Sequence, residues 1–274
     1  MLYLLATPIG NISDITFRAI EILQSCDEIL CEDTRIAKKL ISLLNSRKML
    51  QKSDYNFISL HSHNEDFRIS ELGVGFFKKN VVFMSDAGMP CISDPGAKLV
   101  KFMQENNLEY SIIPGVSSLL SAFALSGFEL NNKNLIFHAF LPHKLQEKGR
   151  ILNEILNNNS INVFFESTHR ILETINLLDS IAPNNDIFVA KEITKIYEKF
   201  YFGKVGEVAK QIQKSNINGE WVIVIQSESR EEKTLNANDI SSMSLPPKIK
   251  AKLLSKLVNK SAESIYNEII KGNI

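Results

Sequence analysis

The chain of 274 residues carries 31 Lys+Arg against 31 Asp+Glu, a formal net charge of +0, and is 44% hydrophobic. At roughly 100 to 200 residues per domain this is one large domain or two ordinary ones, and the balance excludes a disordered chain and a polybasic, tail-driven binder. A neutral protein can still have one basic face, so a nucleic-acid reading has to come from motifs.

The cysteines are Cys26, Cys31 and Cys91, an odd set without C-x-x-C. That speaks against a disulfide framework and a four-ligand zinc site and fits a reducing cytosol. The apolar opening, residues 1–6, has no basic flank and stops at Thr7-Pro8, too early for a signal peptide. No later run approaches the ~20 apolar residues of a membrane span. A cytoplasmic protein without membrane contact is expected.

In chain order, short apolar runs alternate with segments of helical period, the pattern of βα units around a mostly parallel sheet. Residues 2–6 read as a strand, and Ser13 or Asp14 as the cap of a helix whose Ile15, Ala19, Ile20, Ile22 and Leu23 recur at helical spacing. Strands over 28–31, 57–60 and 81–84 are each followed by a helix, over 36–44, 67–77 and 97–104. A strand over 110–113 closes this half, and Pro114-Gly115 punctuates it.

Beyond a helix over 117–124, strands are predicted at 135–137, 163–165, 187–189 and 221–225, with helices near 145–157, 168–180 and 205–214. Phe200-Tyr201-Phe202-Gly203 so soon after the 187 strand predicts a hairpin, hence a mixed sheet in this half. Composition changes again from about Glu231, and six lysines against two glutamates from Pro246 onward, around Leu253, Leu254, Leu257, Ile265 and Ile269, predict a basic helical appendage. The expected organisation is therefore an α/β domain over 1–114, a second over 115–229 and a basic helical tail over 230–274.

In parallel α/β sheets ligands sit beyond the carboxyl ends of the strands. Thr7-Pro8-Ile9-Gly10-Asn11 follows the first strand and is a stiff turn that lets backbone approach a ligand, although an ordinary tight turn has the same composition. Glu32-Asp33-Thr34-Arg35 follows the second, placing two acids and an arginine where a helix-capping Asp would also sit. The strongest signal is Ser85-Asp86-Ala87-Gly88-Met89-Pro90-Cys91-Ile92-Ser93-Asp94-Pro95-Gly96, two small-residue turns with two aspartates and two prolines between a buried strand and a helix. Ser117 and Ser118 after Pro114-Gly115 could cap a helix or bind a cofactor. Glu166-Ser167-Thr168-His169-Arg170, Lys191-Glu192-Ile193-Thr194-Lys195 and Gly219-Glu220 pair acids with bases beside strands; each alone reads as a solvated cluster, and together they point to a cleft. There is no G-x-G-x-x-G and no P-loop, and His61 and His63 lack a third ligand at metal spacing, so no metal site is expected.

In this order, these motifs together with His63-Asn64-Glu65 resemble the small-subunit rRNA methyltransferases of the tetrapyrrole methylase superfamily, over residues 2 to about 228. Met89, Cys91, Thr168 and Val116-Ser118 depart from the family's usual residues. The resemblance implies a two-domain tetrapyrrole-methylase-like fold, with a mostly parallel N-terminal sheet, a mixed C-terminal sheet and a small helical tail. It implies S-adenosylmethionine as methyl donor, a homodimer, and 2′-O-methylation of a cytidine ribose in the decoding region of small-subunit rRNA, naked or in the assembled 30S particle. The rivals are a relative acting on a tetrapyrrole or a protein residue, and a non-catalytic RNA-binding module. On this reading Pro8, Ser85, Asp86, Ala87, Gly88, Pro90 and Ile92 form the donor floor and Ser117 and Ser118 meet its amino acid part. Phe165, Gly219 and Glu220 would enclose the adenine. Asp33, oriented by Arg35, is the first candidate for general base, with Glu32, Glu166 and Lys191 in reserve. RNA phosphates would be held by Arg35, Arg170, Lys195 and the tail lysines.

Overall fold

A computed structural model describes residues 1–228, 236–258 and 260–271, and the chain divides into two compact units, Met1–Glu228 and Ser229–Ile274. The composition change near Glu231 lies outside the described residues.

The first unit begins with a parallel sheet of β1 (Leu2–Leu5), β2 (Glu28–Cys31), β3 (Asn56–Ser59), β4 (Val81–Met84) and β5 (Tyr110–Ile113), in the order β3-β2-β4-β1-β5. Parallel neighbours need crossovers, supplied by α1 (Phe17–Ser25), α2 (Thr34–Ser46), α3 (Glu65–Phe76) and α4 (Ala97–Glu105). Helices cover both faces, so β2 and β4 are buried at every position and show no alternation. Leu5, Ile29, Val82 and Met84 pack on one side; Leu2, Leu4, Leu30, Val81 and Phe83 pack on the other.

Two helix starts show how local chemistry sets the frame. Ser13 and Asp14, expected to cap α1, belong instead to a 3₁₀ turn over Ile12–Asp14, and the cap is Thr16, whose hydroxyl accepts from the Ala19 N–H at 3.1 Å. At α4 the buried Glu65 carboxylate, reaching over from α3, accepts from the N–H groups of Gly96 at 3.0 Å and Leu99 at 3.3 Å. A carboxylate there answers orphan donors and the helix dipole at once.

The second sheet contains β6 (Asn134–Phe140), β7 (Ser160–Glu166), β8 (Asp186–Lys191), β9 (Lys199–Lys204) and β10 (Trp221–Gln226), in the order β6-β7-β10-β8-β9. Only β6 and β7 pair in parallel; the rest is antiparallel, including the expected hairpin of β8 and β9. β6 outruns its predicted 135–137 because a bulge between Phe137 and Phe140, with Ala139 at φ 52, lets pairing resume. α5 (Ser118–Ser126) contributes Ala122 to one face of this sheet, while α6 (Leu145–Asn157), α7 (Ile171–Ile181) and α8 (Val205–Gln213) cover the other around Phe164, Ile175, Val208 and Trp221.

The second unit holds α9 (Ala237–Ser242), α10 (Pro247–Leu254) and α11 (Ala262–Ile270) around Ile240, Ala251, Leu254 and Ile265. Asn236 and Asp239 form a reciprocal capping box at α9. Lys250 donates to the Ser241 carbonyl and Lys260 pairs with Glu268, whereas Lys248, Lys252 and Lys256 are exposed.

Candidate functional site

The loops at the carboxyl ends of β1 and β4 are tied together: Thr7 and Gly88 exchange both backbone hydrogen bonds, at 2.9 and 3.0 Å. The loop after β8 closes against them. A Cβ on Gly10 would lie 2.4 Å from Lys195 Cγ, so only glycine permits this approach, and the Asn11 N–H donates to the Thr194 hydroxyl at 3.2 Å. Loops of both sheets thereby enclose a cavity of about 600 Å³, within the usual range for a small-molecule site.

One wall is the predicted loop: Ala87, Gly88, Met89, Ile92, Ser93 and Asp94, with Ile9 beside it. The opposite wall is Phe165 to His169, Glu192, Ile193, Lys195 and Gly219 to Val222; Ser117, Ser118 and Phe140 complete the lining. Cys91, Ser93, Glu192 and Thr194 adopt positive φ without being glycine, so backbone strain gathers around this cavity. Of the alternatives left open for Ser117, the cap is present: its hydroxyl accepts from the Leu120 N–H at 3.4 Å at the start of α5, and the residue also lines the cavity.

On the far wall a buried scaffold holds the lining. Thr168 donates its hydroxyl to the Gly219 carbonyl at 2.6 Å and accepts from the Gly219 N–H at 2.9 Å, a two-way clamp between the β7 and β10 loops. Glu192 and Glu220 form a second bridge: each backbone N–H is satisfied by the other residue, and Lys195 joins both carboxylates at 2.9 and 3.0 Å. Burial works against ionised Glu192, yet the hydrogen bonds from Lys195 and the Glu220 N–H outweigh it and hold its carboxyl below the ordinary range. Thr168→Val, which keeps the shape and removes the hydroxyl, is expected to lower ligand affinity of this cavity about tenfold, and Thr168→Ser to restore it. Calorimetric titration of both variants checks this; equal affinities would show that the clamp does not shape the wall.

The structure brings Ala87, Gly88, Ile92, Ser117, Ser118, Phe165, Glu166, Gly219, Glu220 and Lys195 to the cavity. Pro8, Ser85, Asp86 and Pro90 stand beside or behind the lining. Ser85 and Pro90 are buried supports, and Asp86 Oδ1 accepts from the Asp33 N–H at 3.1 Å. Several residues expected to do chemistry have structural partners. Glu166 is buried and its oxygens accept from the Ser167 N–H, the Thr174 hydroxyl and Arg170. Arg170 donates from Nε to that carboxylate and from Nη1 to the Leu141 carbonyl at 2.8 Å, which fixes its guanidinium within the wall. Lys191 is buried over the Trp221 ring and donates to the Asn216 carbonyl at 2.6 Å.

Asp33 also differs from its expected part. It caps α2 by accepting from the Arg35 N–H at 2.8 Å and grips the Arg35 guanidinium through both oxygens. The Arg35 side chain and then its backbone N–H hold the Asp33 carboxyl down to about 2, which favours its ionised form and lowers its basicity. Arg35 itself is 89% exposed and oriented outward by this grip. In contrast, burial and then the neighbouring Glu32 push Asp94 up to about 6, and Glu32 and Asp86 are raised by burial and by nearby carboxylates. Asp94, on the cavity wall, was not singled out in the sequence; its signal was the second Ser-Asp turn of one loop.

The family model described as Tetrapyrrole (Corrin/Porphyrin) Methylases matches residues 1–209. The chain is 41% identical over 279 residues to a Ribosomal RNA small subunit methyltransferase I of Helicobacter pylori strain J99, covering 97% of this chain and 96% of that one. It is 41% identical over 272 residues to the protein of the same name from Campylobacter fetus, covering 98% and 100%. Among solved structures, the uroporphyrin-III-C-methyltransferase of Thermus thermophilus superposes with a TM-score of 0.55 at 15% identity, covering 82% of this chain and 93% of that chain, which speaks to fold alone. The methyltransferase CobJ gives 0.58 at 13% identity over the same shares. With that match over most of its length and the two-sheet cavity to go with it, the chain belongs to the tetrapyrrole methylase family, in the branch of the ribosomal RNA small subunit methyltransferase I proteins.

Proposed function

We propose that this protein transfers a methyl group from S-adenosylmethionine to the 2′-hydroxyl of a cytidine ribose in the decoding region of small-subunit rRNA. The observation that carries this reading is the cavity built from the carboxyl-end loops of one sheet and the loop clamp of the other, in a chain whose relatives carry an rRNA methyltransferase name. The lining fits the donor. Apolar Ile9, Met89, Ile92, Phe140 and Phe165 suit a nucleoside base, the Ser117 and Ser118 hydroxyls suit an amino acid group, and the carboxylates of Glu192 and Glu220 suit a ribose diol or a cation. When bound, S-adenosylmethionine supplies an electrophilic methyl on a positively charged sulfur.

The protein's own part is positioning. Two walls, one stiffened by prolines and strained turns and one clamped by Thr168, hold the reactants in line, and orientation of this kind accounts for much of the acceleration in displacement reactions. Arg35, fixed by Asp33 and exposed, and the exposed lysines of the helical unit hold phosphates, with the target nucleotide turned out of its stack. The reading includes domains over 1–114 and 115–229, a tail over 230–274, a homodimer, and naked rRNA or the 30S particle as substrate. Deleting the gene and mapping ribose methylation of the small-subunit rRNA by mass spectrometry is expected to show one methyl lost and regained on complementation. An unchanged methylation map would remove the assigned target.

A further inference from the structure

We propose that the Asp94 carboxylate is the catalytic residue that accepts the proton of the attacking hydroxyl. The inference rests on the methyl-transfer reading above. It starts from placement: of the acids that cluster after β2 and β4, namely Glu32, Asp33, Asp86 and Asp94, only Asp94 lines the cavity. Asp33 is bound to Arg35 through both oxygens, and Asp86 is engaged by the Asp33 N–H. Among the described residues Asp94 forms no ion pair. The buried Ser85 hydroxyl, in a residue 3% exposed, stands beside it and favours its charged form. That hydroxyl stabilises the carboxylate, while burial and the neighbouring Glu32 oppose its charge more strongly.

The backbone aims the group. Ser93 at φ 64 and Gly96 at φ 121 bracket Asp94 between two residues in left-handed backbone, with Pro95 fixing the step between them. Glu65 anchors the end of this turn through the Gly96 N–H. The charged groups facing the cluster are Glu32 and Asp33 from the β2 loop, Asp86 from the β4 loop, Arg35 at the start of α2 and His61 after β3. Burial and the charge of Glu32, the two largest influences, lift Asp94 to about 6, so the group is ionised at neutral pH and still basic enough to take a proton as one is released.

The step balances. The hydroxyl oxygen attacks the methyl carbon, the O–C bond forms as the C–S bond breaks, and the bonding pair stays on sulfur, which becomes neutral. The hydroxyl proton moves to Asp94 and is then lost to water.

Asp94→Asn, close to the same shape, is expected to slow single-turnover transfer to small-subunit rRNA at least 100-fold and to bind S-adenosylhomocysteine within threefold of the wild type. The wild-type rate should rise with pH to an inflection near about 6, absent in the variant. The unliganded protein gives a readout independent of activity. A carboxyl whose folded value lies above its unfolded one favours the fold at low pH and loses that favour as pH rises through the folded value. Asp94→Asn should therefore raise the unfolding midpoint by about 2–4 °C at pH 8 and leave it unchanged at pH 4. Glu32→Gln, which removes a neighbouring charge, should move the wild-type inflection downward. A variant at Asp94 that transfers within tenfold of wild type, keeps the inflection, or loses donor binding in step with rate would overturn the assignment. If the wild type methylates no small-subunit rRNA, the functional reading itself fails and takes this inference with it.

Discussion

Gly96→Ala is expected to lower the stability of the first unit by about 3–5 kcal/mol and its unfolding midpoint by about 10 °C. Two costs coincide. Gly96 has φ 121, a region that side-chain-bearing residues rarely enter, and a Cβ there would lie 2.5 Å from Phe83 Cε1 and 2.7 Å from Cys91 Sγ. Phe83 is wholly buried in the middle of β4 and cannot turn aside without opening the core beneath the sheet. The backbone cannot relax either, because the Gly96 N–H is held by Glu65. Thermal unfolding followed by far-ultraviolet circular dichroism measures the effect. A midpoint within 2 °C of wild type would mean that the loop from Ser85 to Gly96 is softer than its contacts indicate.

Gly219→Ala should act on the ligand rather than on the core. Its φ of 130 already disfavours a side chain, and the new Cβ would stand 2.5 Å from Glu192 Cγ. Glu192 is held by Lys195 and by the Glu220 N–H, so displacing it loosens both the carboxylate bridge and the Thr168 clamp on residue 219. Strain of about 1–3 kcal/mol, placed on a wall of the cavity, should weaken binding of S-adenosylhomocysteine about 10- to 100-fold, with a smaller loss of thermal stability than at Gly96. Calorimetry on the two glycine variants separates the effects; unchanged affinity would place the ligand away from the β10 loop.

The regular elements were legible because their signals are local and repeated. The continuous apolar runs of β2 and β4 read as buried strands, and the close spacing of β8 and β9 left room only for a hairpin. Helix ends were less legible, since a cap depends on which hydroxyl faces a free N–H: Thr16 rather than Ser13 does so at α1. α7 starts at Ile171, later than the predicted 168, because the Ser167 carbonyl accepts from both Arg170 and Ile171. At the site, the loop after β4 announced itself through its small residues and prolines. What the sequence could not show was which charges turn inward. Glu166 and Lys191 have the composition of a solvated cluster together with Arg170, yet they sit buried at the ends of β7 and β8 and find partners inside the wall, Arg170 at the start of α7 among them. Lys148, wholly buried against Glu173 and Thr174 behind the same wall, gave no sign of it in the periodicity of α6.

The strand order of the first sheet bears on how the chain is made. Within this sheet β1 is made before its hydrogen-bonded neighbours β4 and β5, whose residues begin at 81 and 110. At ~5–20 residues per second, Leu2, Leu4 and Leu5 wait about 4–16 s before a partner strand even exists. A nascent chain halted before Val81 therefore leaves β1 without either of its neighbours, and its apolar side chains are a target for chaperones during translation.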